Sequence, residues 1–90
     1  MERKTRKLIE KRLRQYKSKE NIQWNKIINN NLNKLNDIEK QLIELRYFEG
    51  KTINYVTYEL YMSRCKYFDT VDNILTEIAL DAAYYHLIKR

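Results

Sequence analysis

A single glycine and no proline punctuate the chain, and the glycine stands in Leu45-Arg46-Tyr47-Phe48-Glu49-Gly50-Lys51-Thr52-Ile53. A sheet protein needs turns every few residues, and turns draw on glycine and proline. So little of either argues for long, uninterrupted helices. Gly50 then reads as the left-handed residue that ends one helix, with Thr52 as the cap of the next. About eleven residues on, Ser63 is a second cap candidate. Helix, glycine turn, short helix, tight turn and longer helix are the parts of a helix-turn-helix, a scaffold that presents one helix to a DNA groove.

The ninety residues suit one all-α unit with one modest core. The net charge of +6 is concentrated at one end: residues 1–20 hold nine Lys/Arg against three Glu, and residues 21–90 hold nine of each sign. Such a segment is drawn to a phosphate backbone in a salt-sensitive, largely sequence-independent way; the plainer alternative is a solvated helix face. The one cysteine, Cys65, cannot form an internal disulfide, which fits a reducing, cytoplasmic setting. No apolar run nears the roughly 18 residues of a membrane span, and the basic start lacks the apolar core of a signal peptide.

Apolar spacing divides the chain into a basic helical segment, residues 1–35, and a helical domain, residues 36–90. Leu8, Ile9, Leu13 and Tyr16 recur at helical spacing over residues 3–17, and Ser18 to Asn21 form a polar break. Trp24, Ile27, Ile28, Leu32 and Leu35 predict a second helix to about residue 34, with Trp24 as a core anchor. Asn36 and Glu39 are spaced as a capping box, opening a helix whose apolar stripe is Ile38, Leu42, Ile43, Leu45 and Phe48. Ile53, Val56 and Leu60 face inward on the next helix, leaving Tyr55, Tyr58 and Glu59 outward. Ser63 opens the last helix, with Val71, Ile74, Leu75 and Ile78 on its buried side. From Ile78 to Ile88 this helix is apolar nearly all round, so it must be covered on more than one side. The N-terminal helices are one cover. A second copy of the chain is the other, and the reading favours a homodimer touching through Leu80, Tyr84, Leu87 and Ile88.

Residues 42–75 resemble the helix-turn-helix of the region 4 domain of sigma-70 factors. Leu42-Ile43-Glu44-Leu45-Arg46-Tyr47-Phe48-Glu49-Gly50 is close to its first-helix-and-turn signature. Ile53, Val56 and Leu60 fall where its second helix packs, and Ser63 where its recognition helix is capped. The whole layout, from Arg6-Lys7-Leu8-Ile9-Glu10-Lys11-Arg12-Leu13-Arg14 to that motif, is similar to phage late transcription regulators of the RinA and ArpU type. The resemblance implies N-terminal helices packed on a sigma-like helix-turn-helix with a long last helix. It also implies binding to double-stranded DNA near a promoter, contact with host RNA polymerase, and activation of late packaging, morphogenesis and lysis genes.

On this reading Arg64, Lys66, Tyr67, Thr70 and Asn73 reach base edges. Arg3, Lys4, Arg6, Lys7, Lys11, Arg12, Arg14, Lys51, Thr52 and Tyr55 hold the backbone. Tyr58 and Tyr67 are further candidates for phosphate contact. The recognition helix departs from its sigma counterparts in carrying Asp69 and Asp72 among its outward residues. Both would repel phosphates, although Asp69 could accept from a cytosine amino group or serve the helix N-terminus. The alternative is an interaction module that keeps the sigma-like fold and grips polymerase or another regulatory protein.

His86 and Cys65 are the only residues of their types, and neither has partners at metal-ligand spacing. No glycine-rich phosphate loop can be built on one glycine. No convergent catalytic constellation is present, so the reading includes no enzyme activity, no metal, no cofactor and no small-molecule substrate. Cys65 is expected to fill space in the first turn of its helix, and most of the eight tyrosines to be half-buried.

Overall fold

The computed structural model describes residues 2–17, 19, 22–85 and 87. Among them the chain is all-helical: α1 (Arg3–Arg14), α2 (Ile22–Leu32), α3 (Asp37–Ile43) running into a π-helical turn (Glu44–Phe48), α4 (Ile53–Glu59) and α5 (Arg64–Tyr84). No helix of the described residues is long and apolar enough to cross a membrane. The polar break at Ser18–Asn21 largely, and His86 and Ile88 wholly, lie outside the described residues.

Helices α3, α4 and α5 each start where a side chain satisfies free amides. The Asn36 side chain accepts from the Glu39 amide at 2.9 Å and the Glu39 carboxylate from the Asn36 amide at 3.0 Å, a reciprocal capping box. The Thr52 hydroxyl accepts from the Tyr55 amide, and the Ser63 hydroxyl from the Lys66 amide, both at 3.1 Å. The ends differ. Gly50, at φ +73°, follows a turn in which the Glu49 amide reaches Glu44 and the Lys51 amide reaches Leu45. Both bonds span one residue more than an ordinary α-helical terminus, because the helix widens into its π turn there. Helix α4 ends in a regular Schellman pattern, with the Tyr61 amide donating to Tyr58 and the Met62 amide to Thr57. Its left-handed residue is Tyr61, at φ +52°.

One core joins all these elements. Ile9 and Leu13 of α1, Trp24, Ile27 and Ile28 of α2, and Leu42, Ile43 and Tyr47 meet Val56 and the inner side of α5. That inner side is Tyr67, Val71, Ile74, Leu75, Ile78 and Ala82. The boundary at residue 35 therefore separates a charge-rich half from a motif-bearing half, but no second core. Helices α1 and α2 both pack along α5 and cover one side of its apolar end. Asn31, buried on α2, sets the register of that packing: its amide donates to Asp81 at 2.8 Å and to the Ile27 carbonyl at 2.9 Å. The opposite side of α5 stays open, with Leu80 47% and Tyr84 77% exposed.

Four apolar placements differ from the sequence reading, among them Phe48, which is 37% exposed and stacks on Tyr16. Ile38 is 47% exposed, because the first turn of α3 projects beyond the core that Leu42 and Ile43 enter. Leu87 is half-buried against the chain's own core. Cys65 is exposed, since its place in the first turn of α5 turns it from the core. Tyr55 and Tyr58 are exposed as expected, but Tyr61, Tyr84 and Tyr85 are exposed too, so most tyrosines are not half-buried.

Candidate nucleic-acid interface

The first turns of α5 carry the residues singled out for base contact, and the structure splits them into two groups. Arg64, Lys66 and Asn73 are exposed, Arg64 on one flank of the helix and Lys66 and Asn73 on the other. Tyr67 and Thr70 point inward, with 2% and 8% of their surface exposed, so contrary to the sequence reading they are not base contacts. Thr70 belongs to the buried stripe of Tyr67, Val71 and Ile74, and its hydroxyl donates to the Lys66 carbonyl at 2.7 Å, a back-bond within the helix. Burial pushes the Tyr67 phenol up, with Arg46 beside it acting against that rise. A phenol so placed reaches neither a base nor a phosphate.

Arg64 is held in position. Its guanidinium donates to the Asn54 side chain on α4 at 2.6 Å and lies over the Phe68 ring, 5.9 Å from the centroid. Phe68 in turn packs edge-on against buried Tyr67. The last link runs from the core, through two aromatic rings, to an exposed cation. A planar guanidinium so oriented presents its remaining donors as a fork suited to a guanine edge or a phosphate. Asn54 is a residue that sequence reasoning missed. Its relation to Arg64 depends on how α4 and α5 meet across the turn, and no spacing rule signals it.

At the start of α4, Thr52 is exposed but its hydroxyl is engaged as the cap, and Lys51 lies over the exposed Tyr55 ring at 5.2 Å. On α1, Arg3, Lys4, Lys7, Lys11 and Arg14 are exposed, so the basic segment presents an open face of cations. Two of its members are occupied otherwise. Arg12 is half-buried and lies over the Trp24 ring at 5.8 Å. Arg6 bonds to Asp72 of α5 and stands 3.8 Å from Glu10, whose carboxylate accepts from the Tyr47 hydroxyl at 2.9 Å. The hydrogen bond to Asp72 raises the Arg6 guanidinium above its ordinary value, and burial opposes it. Burial and then the neighbouring Glu10 charge push the Tyr47 phenol well above its ordinary 10.0.

Thus Asp72–Arg6–Glu10–Tyr47 is a polar chain that crosses from α5 through α1 to the π turn. It removes Arg6 from the set of free phosphate ligands and covers one of the two carboxylates that seemed out of place on α5. Asp69 remains exposed and without an ion pair among the described residues. An open groove of about 600 Å³ beside the end of α1 is lined by Arg14, Lys17 and Lys40 but also by Glu44 and Glu49. Its mixed signs do not make a phosphate channel.

Fold and surface together define a small all-helical protein with a basic first helix and a capped last helix whose outward start is polar. Comparison with protein-family models, characterised proteins and solved structures finds no match to this chain.

Proposed function

We propose that this chain is a DNA-binding transcription regulator whose α4, turn and α5 act as a helix-turn-helix. The start of α5 enters a major groove and the exposed cations of α1 hold the backbone. One observation carries the reading: Arg64, braced by Asn54 and Phe68, stands exposed in the first turn of a helix whose inner side is the core, with Lys66 exposed in the same turn. That arrangement aims donors at base edges from a rigid support. The likeness of residues 42–75 to sigma region 4 and of the layout to the RinA and ArpU type narrows the role. It makes the chain an activator of phage late genes, acting beside host RNA polymerase in the bacterial cytoplasm.

The test is fluorescence-anisotropy binding to fragments from the chain's own genomic neighbourhood, against a scrambled duplex of equal AT content, at two salt concentrations. A preference of about a thousandfold or more for one fragment is the result expected of a specific regulator. Arg64→Ala then loses affinity at that fragment and little at the scrambled duplex. Equal, salt-labile binding to both duplexes refutes sequence-specific reading.

A second reading has its own observation. Leu80 and Tyr84 lie on the open side of α5, 47% and 77% exposed. A protein-interaction module, or a homodimer, would use that side. Polar substitution of both residues separates the readings: it abolishes a polymerase or self-association contact and leaves duplex affinity of the monomer intact.

A further inference from the structure

We infer that Arg6 acts as a neutralising residue for the DNA-reading helix, cancelling the charge of Asp72, and does not itself grip phosphate. The inference rests on the proposal that α5 enters the groove. Its observations are geometric. Asp72 is 54% exposed at its side chain, on the third turn of α5, and bonds to Arg6 of α1. Arg6 is the less exposed partner, at 32%, and is flanked on its own helix by Glu10. Glu10 is fixed by the Tyr47 hydroxyl of the π turn. The guanidinium therefore stands between two carboxylates, and the triad of Arg6, Glu10 and Asp72 carries one net negative charge. A phosphate approaching it meets no free cation.

The purpose of such a placement follows from Coulomb's law. An uncovered carboxylate on a groove-entering helix faces phosphates from both strands, and at roughly 8 Å through partly aqueous surroundings each opposes binding about five- to tenfold. Covering Asp72 with a cation from α1 removes that repulsion while leaving Asp69 as the one unpaired carboxylate in the first turns of α5 among the described residues. The basic segment then has two separate duties. Its exposed cations attract the backbone, and Arg6 silences a charge on the helix that reads it.

A double-mutant cycle decides this. Wild type, R6Q, D72N and R6Q/D72N are titrated onto a labelled AT-rich duplex at two salt concentrations, with thermal unfolding recorded for each. R6Q is expected to weaken binding about five- to tenfold, because it uncovers Asp72. D72N stays within about twofold of wild type, and R6Q/D72N returns to the D72N level with the wild-type salt slope. If the double variant stays as weak as R6Q and its slope falls by about one, Arg6 is a phosphate contact and the inference is wrong. An R6Q affinity equal to wild type overturns it as well. Should R6Q lose its unfolding transition, R6M keeps the packing of the alkyl stem and is read in its place. Absence of duplex binding by the wild-type protein at either salt refutes the DNA reading, and this inference falls with it.

Discussion

The turn between α4 and α5 carries a strain that can be measured. Tyr61 sits at the left-handed position of a Schellman motif, φ +52°, where glycine or asparagine is favoured. A side chain with a Cβ loses roughly 1–2 kcal/mol there, because the Cβ crowds the following carbonyl. Tyr61 is 96% exposed, so its ring makes no packing contact that offsets this cost. Tyr61→Asn keeps a side chain that tolerates the conformation and loses nothing buried. It should stabilise the fold by about 0.5–1 kcal/mol. For a domain of this size that is a rise in Tm of roughly 2–8 °C. Tyr61→Val is the opposite control, since a β-branched residue is a genuine outlier at positive φ, and it should lower Tm. Paired calorimetric scans at one pH decide the matter. An unchanged or lower Tm for Tyr61→Asn, with Tyr61→Val no worse than wild type, would refute the claim that backbone strain governs this turn.

Two further outcomes test the core and the polar chain. Leu75 of α5 is fully buried where the helices meet, so Leu75→Ala should cost about 2–5 kcal/mol, read as a lower urea midpoint at unchanged slope; a loss under about 1 kcal/mol would mean the site collapses around the cavity. The raised Tyr47 phenol holds its proton more tightly folded than unfolded, so its contribution is intact below about pH 10, the ordinary phenol value, and declines as pH rises above it. Tyr47→Phe should flatten the fall of the urea midpoint between pH 9 and pH 11.5 (both roughly chosen around that phenol value). An equally steep fall in the variant would assign it to other groups, Tyr67 among them.

Local chemistry made the helices legible. Asn36, Thr52 and Ser63 cap where their types and spacing place them, Gly50 takes positive φ, and Trp24, Val56, Val71, Ile74, Leu75 and Ile78 are buried. Each depends on a residue and its neighbours within a turn or two, so the sequence carries the information directly. The outward side of α5 was only half legible. Tyr67 and Thr70 are polar-tipped, and their types suited base contact, but the helix rotates them into the core. Arg64, Lys66 and Asn73 stay exposed on the flanks of that buried stripe. The π turn, one residue wider than an α-turn, was not visible in Glu44-Leu45-Arg46-Tyr47-Phe48 at all.

By itself, then, the sequence determined that this chain is all-helical, where its helices begin, and that its excess positive charge lies in the first twenty residues. Only the tertiary structure decided which cations remain free. Arg6 and Asp72 are 66 positions apart, Glu10 and Tyr47 are 37, and Asn31 and Asp81 are 50. A helix specifies its caps and its apolar stripe from its own residues, whereas the pairing of two charges on different helices depends on how those helices cross. That crossing is set by the packing of α1 and α2 on α5 within one shared core, which no local pattern records.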